Sequence, residues 1–505
     1  MLRYLLPLLL LFPGEDAPKP KWPIGKETTY VTGPFDKDGY IDYEAVLNER
    51  LGKGVTPENN ANVLIWKVLG PRPDGVRMHV DYFKALGIVE PPDEGDYFVA
   101  LREFTKDSLK LSPSEVEATN KQWSLASARP WRASDYPRIA AWLATNEKPL
   151  TVFVEATKRP KYFSPVIAIR NERDRGPLVS ALLPSVQGCR HVVAALSARA
   201  MQRIGDGKFD DAWQDLLACH QLALHVSHGA TLIESLVGYA FEQIVSARDM
   251  VYIARAPLTS VELRGRLREI RDLPRLIPVA EKVDLGERFL VLDATKFARR
   301  GGPGFLAALG DGKPPPMPDA RTVMLMAAVD WGRALRDVNR WFDREVAIMR
   351  LADRAVRQKE MDKFFEGLKT VKPRITGPED EISGESIGNT LAALFLPAVQ
   401  KLQTAQDRYD QTRQNLFIAF VLAAYHADNG RYPPKLDDLA PNYLTAVPGD
   451  LFSGRPLIYR PTKNGYLLYS VGPNGVDDGG RSYADSPPGD DIVVRMPPPE
   501  PNIRR

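Results

Sequence analysis

The sequence predicts a mainly α fold that ends in a small α+β module. Three observations predict it. Apolar residues recur at helical spacing through most of the 505-residue chain. Pro, Gly and polar runs cut that pattern into helix-length pieces, and two strand-like runs, "PLIYRP" and "GYLLYSV", flank an Asn-Gly pair near the end. A chain of this length buries more than one core, with roughly two to four units as the ordinary expectation. Lys and Arg total 67 against 64 for Asp and Glu, a formal charge of +3. That balance gives no general reason to expect nucleic acid or acidic lipid as a partner.

Residues 1–17, "MLRYLLPLLLLFPGEDA", carry one basic residue, Arg3, and an apolar run too short to span a bilayer as a helix. They resemble a short secretory signal peptide, with cleavage expected near Gly14 or Ala17; an apolar first helix is the alternative. Residues 18–185 read as a mainly helical region after an irregular, Pro-rich lead-in. Thr56 is expected to cap a first helix with Pro57 at its opening position. Ser112, Pro113 and Glu115 have capping-box spacing, and Ser134 or Asp135 precedes Pro137 in the same way.

Residues 186–310 form a helical-hairpin domain in this reading. Two amphipathic stretches between 191 and 228 are broken at Gly205-Asp206-Gly207, and further helices are expected at 230–255, from Thr259 with Glu262 completing a capping box, and at 278–299. The second hairpin arm, "GKFDDAWQDLLACHQLA", resembles the tetratricopeptide pattern through Gly207, Phe209 and Ala212, but in one copy only. A stacked-repeat architecture needs about three copies. Residues 311–385 comprise a Pro-rich linker and a long charged helix over 322–368, closed by the polar "KPRITGPEDEISGES".

The last region, residues 386–498, holds one long helix against an antiparallel sheet. Gly430 after "YHADN" is a helix C-cap, Pro433-Pro434 forbids continuation, and the strand-like runs make a hairpin around Lys463-Asn464-Gly465. An apolar helical start, "LAALFLPAV", leads into an amphipathic helix that ends at "DNGRYP", followed by "VPGDLFSGRPLIYRP" and "GYLLYSVGPNG". This succession resembles the bacterial pilin-like proteins and the type II secretion pseudopilins, over about a fifth of the chain. The stem is internal here, preceded by "EDEISGESIGNT", so the resemblance implies a shared fold and a docking role, not pilus assembly.

Pseudopilins hold calcium in the loop that closes the sheet. The resemblance therefore implies a calcium site in "YSVGPNGVDDGGRSYADSPPGDDIVV", with Asn474, Asp490 and Asp491 as ligands by position and Asp477 and Asp478 as additional ones. Several carboxylates among turn-forming glycines suit a hard cation. The competing reading is a solvated acidic loop made by turn residues.

Other constellations carry less. Four of six histidines and both cysteines, Cys189 and Cys219, fall between 189 and 228, but helical spacing sends Cys219 to an apolar face and His225 and His228 to a polar one. The cysteines lie at distances from the hairpin turn that differ by roughly 6 Å of helix, at about 1.5 Å per residue. That makes a bridge borderline and two buried free thiols the expectation. "GESIG" around Ser386 matches a nucleophile-elbow string but follows an acidic loop, not a buried strand. The expectation is thus an exported, periplasmic or extracellular, non-enzymatic interaction protein with a protein partner in the cell envelope. The alternative is a hydrolase-like enzyme with its site in the helical body.

Overall fold

A computed structural model describes residues 19–170, 175–311, 319–370 and 383–500 of the chain. The leader-like residues 1–17, the Pro run at 314–316 and most of the polar boundary after residue 370 lie outside the described residues. The fold is mainly helical, with a three-stranded antiparallel sheet close to the C-terminus.

The N-terminal region contains α1 (Tyr43–Leu51), α2 (Ala61–Leu69), α3 (Val80–Ala85), a short α4 (Leu101–Glu103), α5 (Pro113–Ala126), α6 (Pro137–Thr145) and α7 (Glu147–Thr157). The middle of the chain supplies α8 (Pro184–Gly205), α9 (Phe209–Ser227), α10 (Leu232–Arg255), α11 (Ser260–Arg271), α12 (Val279–Lys282) and α13 (Arg288–Asp311). Then follow α14 (Ala320–Ala328), α15 (Trp331–Met349), α16 (Arg354–Thr370), α17 (Gly384–Phe395) and the 33-residue α18 (Pro397–Asn429). Strands β1 (Ile458–Thr462), β2 (Gly465–Ser470) and β3 (Ile492–Met496) complete the chain in the order β1-β2-β3.

Several expected boundaries hold for the expected reason. Ser112 with Glu115 and Thr259 with Glu262 form capping boxes, and Gly430 ends α18 in the left-handed conformation at φ 68°. Gly207 turns the α8–α9 hairpin at φ +77°. Others moved. The first strong helix starts at Ala61, not after Thr56, because Asn60 accepts from the Asn62 amide at 3.1 Å while Thr56 and Asn59 close a turn on each other. The long helix expected over 322–368 is three helices. Asp330 accepts from the Arg333 amide at 2.9 Å and Asp353 from the Val356 amide at 3.0 Å, so each aspartate starts a new helix by drawing a free N–H to its own side chain. The hairpin pairs Thr462 with Gly465, leaving Lys463 and Asn464 alone in the turn.

Two large cores organise these elements. One joins α2 and α5 to α11 with the sheet through Trp142, Phe153, Trp213, Phe241 and Leu468. The other joins α1 with the helices from α12 to α17 through Phe289, Val338, Phe342 and Phe364. Helix α18 belongs to both: Val399, Leu402 and Tyr409 enter the second core, and residues 416–424 enter the first. The cores therefore run across the segment boundaries read from the sequence. Among the described residues no helix is long and apolar enough to cross a membrane.

Candidate functional site

Helix α10 has two working faces. Val237, Phe241, Val245 and Tyr252 are buried, whereas Ile233, Leu236, Ala240, Ile244 and Ala247 point outward at helical spacing. Leu236 is 44% exposed and Ile244 37%, so the outward face is apolar and open. Across from it stand Arg408, Tyr409 and Thr412 of α18 and residues 492–495 of β3, and the space between is a groove of about 1040 Å³. Tyr483 roofs it from the loop, within 3.4 Å of the Gln243 amide, and Glu500 closes one end by pairing with Arg129.

The polar groups of the groove are mostly engaged. Glu242 lies in its wall and is backed by His220, a fully buried residue of α9. His220 donates from Nδ1 to Glu242 Oε2 at 3.1 Å and from Nε2 to Asp249 Oδ2 at 2.9 Å. Burial alone would strip the ring of its charge, but the attraction of both carboxylates outweighs it and raises the imidazole to about 10. The ring is an imidazolium at neutral pH with both protons committed, so it cannot serve as a general base. Arg413 donates to the Tyr409 hydroxyl at 3.0 Å and to the Ile270 carbonyl at 3.1 Å, Arg495 donates to Asp485 at 2.9 Å, and Arg408 pairs with Asp490. The Tyr239 hydroxyl is buried and unpaired among the described residues, and its ring stacks on Tyr409 with centroids 5.4 Å apart.

The loop of residues 471–491 covers the outer face of the sheet. Gly480, at φ +80°, lies so close that a Cβ there would sit 2.8 Å from Leu467 Cδ2, which is why a glycine stands at this position. The five residues expected to hold calcium are placed as follows. Asn474 accepts from the Val476 amide at 2.8 Å, and Asp477 accepts from the Tyr469 hydroxyl at 3.0 Å and the Gly479 amide at 2.8 Å. Asp478 accepts from the Asp490 amide at 2.7 Å, Asp490 from the Asn474 amide at 3.0 Å, and Asp491 from the Gly480 amide at 2.7 Å. Their oxygens are directed at backbone amides, a phenol and the Arg408 guanidinium. Among the described residues no three His, Cys, Asp or Glu side chains gather into a metal-holding group. As placed, these carboxylates knit the loop through side-chain to backbone bonds.

Cys189 and Cys219 are both free and fully buried, and burial pushes the Cys189 thiol up to about 12. His225 and His228 are not on an open polar face. His225 is 6% exposed, donates from Nε2 to the Thr157 carbonyl at 2.9 Å and stacks on Tyr162, because α7 packs over that side of α9. His228 donates from Nδ1 to the Leu224 carbonyl at 2.7 Å. Ser386 is the N3 residue of α17, its hydroxyl donating to the Ser383 carbonyl at 2.9 Å. The Glu242–His220–Asp249 cluster is absent from the reading of the sequence. Its signal is there: two carboxylates seven residues apart, two turns along the same side of an apolar helix. No protein family, no curated protein and no solved structure matches this chain.

Proposed function

We propose that the chain is an exported, non-enzymatic interaction protein of the cell envelope, periplasmic or extracellular, that receives a protein partner in the groove between α10 and the C-terminal sheet. One observation carries the reading. The groove joins open apolar walls to charged groups that are already engaged within the chain, so what it offers above all is surface to cover. A catalytic cleft would place a poised acid, base or nucleophile against the substrate. The ring nearest the wall, His220, is held as a cation behind Glu242. The leader-like start and the pilin-like C-terminal module support the envelope as the place of work.

The test is a photo-crosslinking amino acid at exposed Gln243, in the full chain expressed in its native cells, followed by fractionation. A discrete adduct in the envelope fraction from position 243, missing when the crosslinker stands at Val261 on α11, is the expected result. Recovery of the chain in the cytoplasm, with no adduct from position 243, would overturn the reading.

A further inference from the structure

We infer that the groove takes an extended, uncharged peptide segment of the partner, which adds to β3 as a fourth strand and lies along the apolar stripe of α10. The inference rests on the groove being an interaction site and adds to it the form and chemistry of what binds.

The sheet has two unlike edges. β1 carries Arg460 and Pro461, a charge and a missing N–H that blunt strand addition. β3, "IVVRM", has no such residue except Arg495, whose guanidinium is tied to Asp485. It pairs with β2 on one side only, and its other side opens on the groove. The two-residue hairpin closes on a hydrogen-bonded Thr462–Gly465 pair, so Tyr466, Leu468 and Ser470 turn their main-chain groups to β3 and meet those of Met496, Val494 and Ile492. In an antiparallel ladder such pairs alternate, which directs the N–H and C=O of Val493 and Arg495 away from β2. β3 thus presents unpaired main-chain groups to a space large enough for another strand.

The facing helix suits a strand lying between. Ala240 and Ala247 leave room where side chains of an inserted strand would descend, and Leu236 and Ile244 flank them with apolar surface. The chemistry of the segment follows from the apolar wall it would cover. Glu242, Arg408 and Arg495 have charged partners inside the chain, and Arg413 and Arg248 donate to neutral acceptors. A charged side chain laid against Leu236, Ala240 and Ile244 would lose water to apolar surface. Tyr239 is 6% exposed and its hydroxyl has no partner among the described residues, so it supplies one donor for a main-chain carbonyl of the incoming strand. A segment that matches the five residues of β3 is about 17 Å long, at roughly 3.4 Å per residue. Main-chain bonds give such a complex its affinity and alternate side chains its specificity.

The probe is a displayed library of random seven-residue peptides, selected on the immobilised full chain and counter-selected on Ala247→Arg, an exposed helical position where the longer side chain fills the groove without disturbing the core. Uncharged peptides with alternating β-branched or aromatic residues should enrich. The best of them, made synthetically, should lose at least tenfold in affinity when alternate amides are N-methylated, at least tenfold on Ala247→Arg, and severalfold on Tyr239→Phe. Circular dichroism melts of both variants, matching the parent chain, separate lost binding from lost fold. Enrichment of charge-rich peptides, affinity indifferent to N-methylation, or no enrichment over Ala247→Arg would each overturn the inference. A partner crosslinked from Gln243 beside any of those results would leave the interaction reading standing and remove the added strand alone.

Discussion

His220 is wholly buried between Glu242 and Asp249, and its charge is what makes the three groups compatible. Replacing it with Gln leaves two carboxylates without a counter-ion and should cost about 3–5 kcal/mol of stability, read from urea midpoints. The pH dependence has a definite sign. The imidazole rises from its ordinary 6.5 to about 10 on folding, so its contribution is complete below pH 6.5 and fades as pH climbs through 10. The gap between the parent chain and His220→Gln should therefore be wide at pH 6 and clearly narrower at pH 10. An equal gap at both would mean that the ring is neutral in the fold. Asp490 and Asp491 make a second residue-scale prediction. Because they bond amides and Arg408, the double change to Asn should lower the melting temperature equally with calcium or chelator present. A calcium-dependent rise that these substitutions abolish would place an ion in the loop.

At the scale of single elements, helix ends and tight approaches are partly legible in the sequence. Gly430 reads as a cap from the residues around it. Its φ is 68°, and no neighbouring atom lies within 4 Å of the point a Cβ would occupy, so a substitution there reports on backbone conformation alone. Gly430→Ala should lose about 1 kcal/mol and Gly430→Asn less, since Asn tolerates the left-handed region. Gly480→Ala should lose more than Gly430→Ala, because strain at φ +80° is joined by contact with Leu467. Chemical denaturation of the three variants orders them; equal losses at 430 and 480 would contradict the close packing of the loop on the sheet. The breaks at Asp330 and Asp353 are harder to read. An aspartate between helical stretches looks the same in sequence whether it faces water in mid-helix or caps a new one, and the neighbouring packing decides.

For the whole molecule, α18 is the decisive element. One end lies among the helices around Phe342 and the other among those around Phe241, so neither core is complete without it. Through α18, heat that opens one core should loosen the other, so the two should melt in overlapping transitions. A fragment of residues 386–498 expressed alone should lack a native core, since the face of residues 416–424 is buried partly against α10 and α11. Its amide spectrum should be poorly dispersed. A folded, dispersed fragment would show that the C-terminal module is autonomous.

Composition, helical periodicity and capping residues by themselves determined the mainly helical class, the α8–α9 hairpin, the Gly430 stop and the terminal sheet, because those depend on interactions within a few residues along the chain. The sequence also pointed to buried free thiols, which follows from placing Cys219 on an apolar face. The groove, the imidazolium behind its wall and the sharing of α18 between two cores were decided only by tertiary structure. They join α9 to α10, α10 to β3, and α18 to both halves of the chain. Each of those meetings depends on how faces far apart in sequence pack, and local periodicity specifies a face without specifying what covers it.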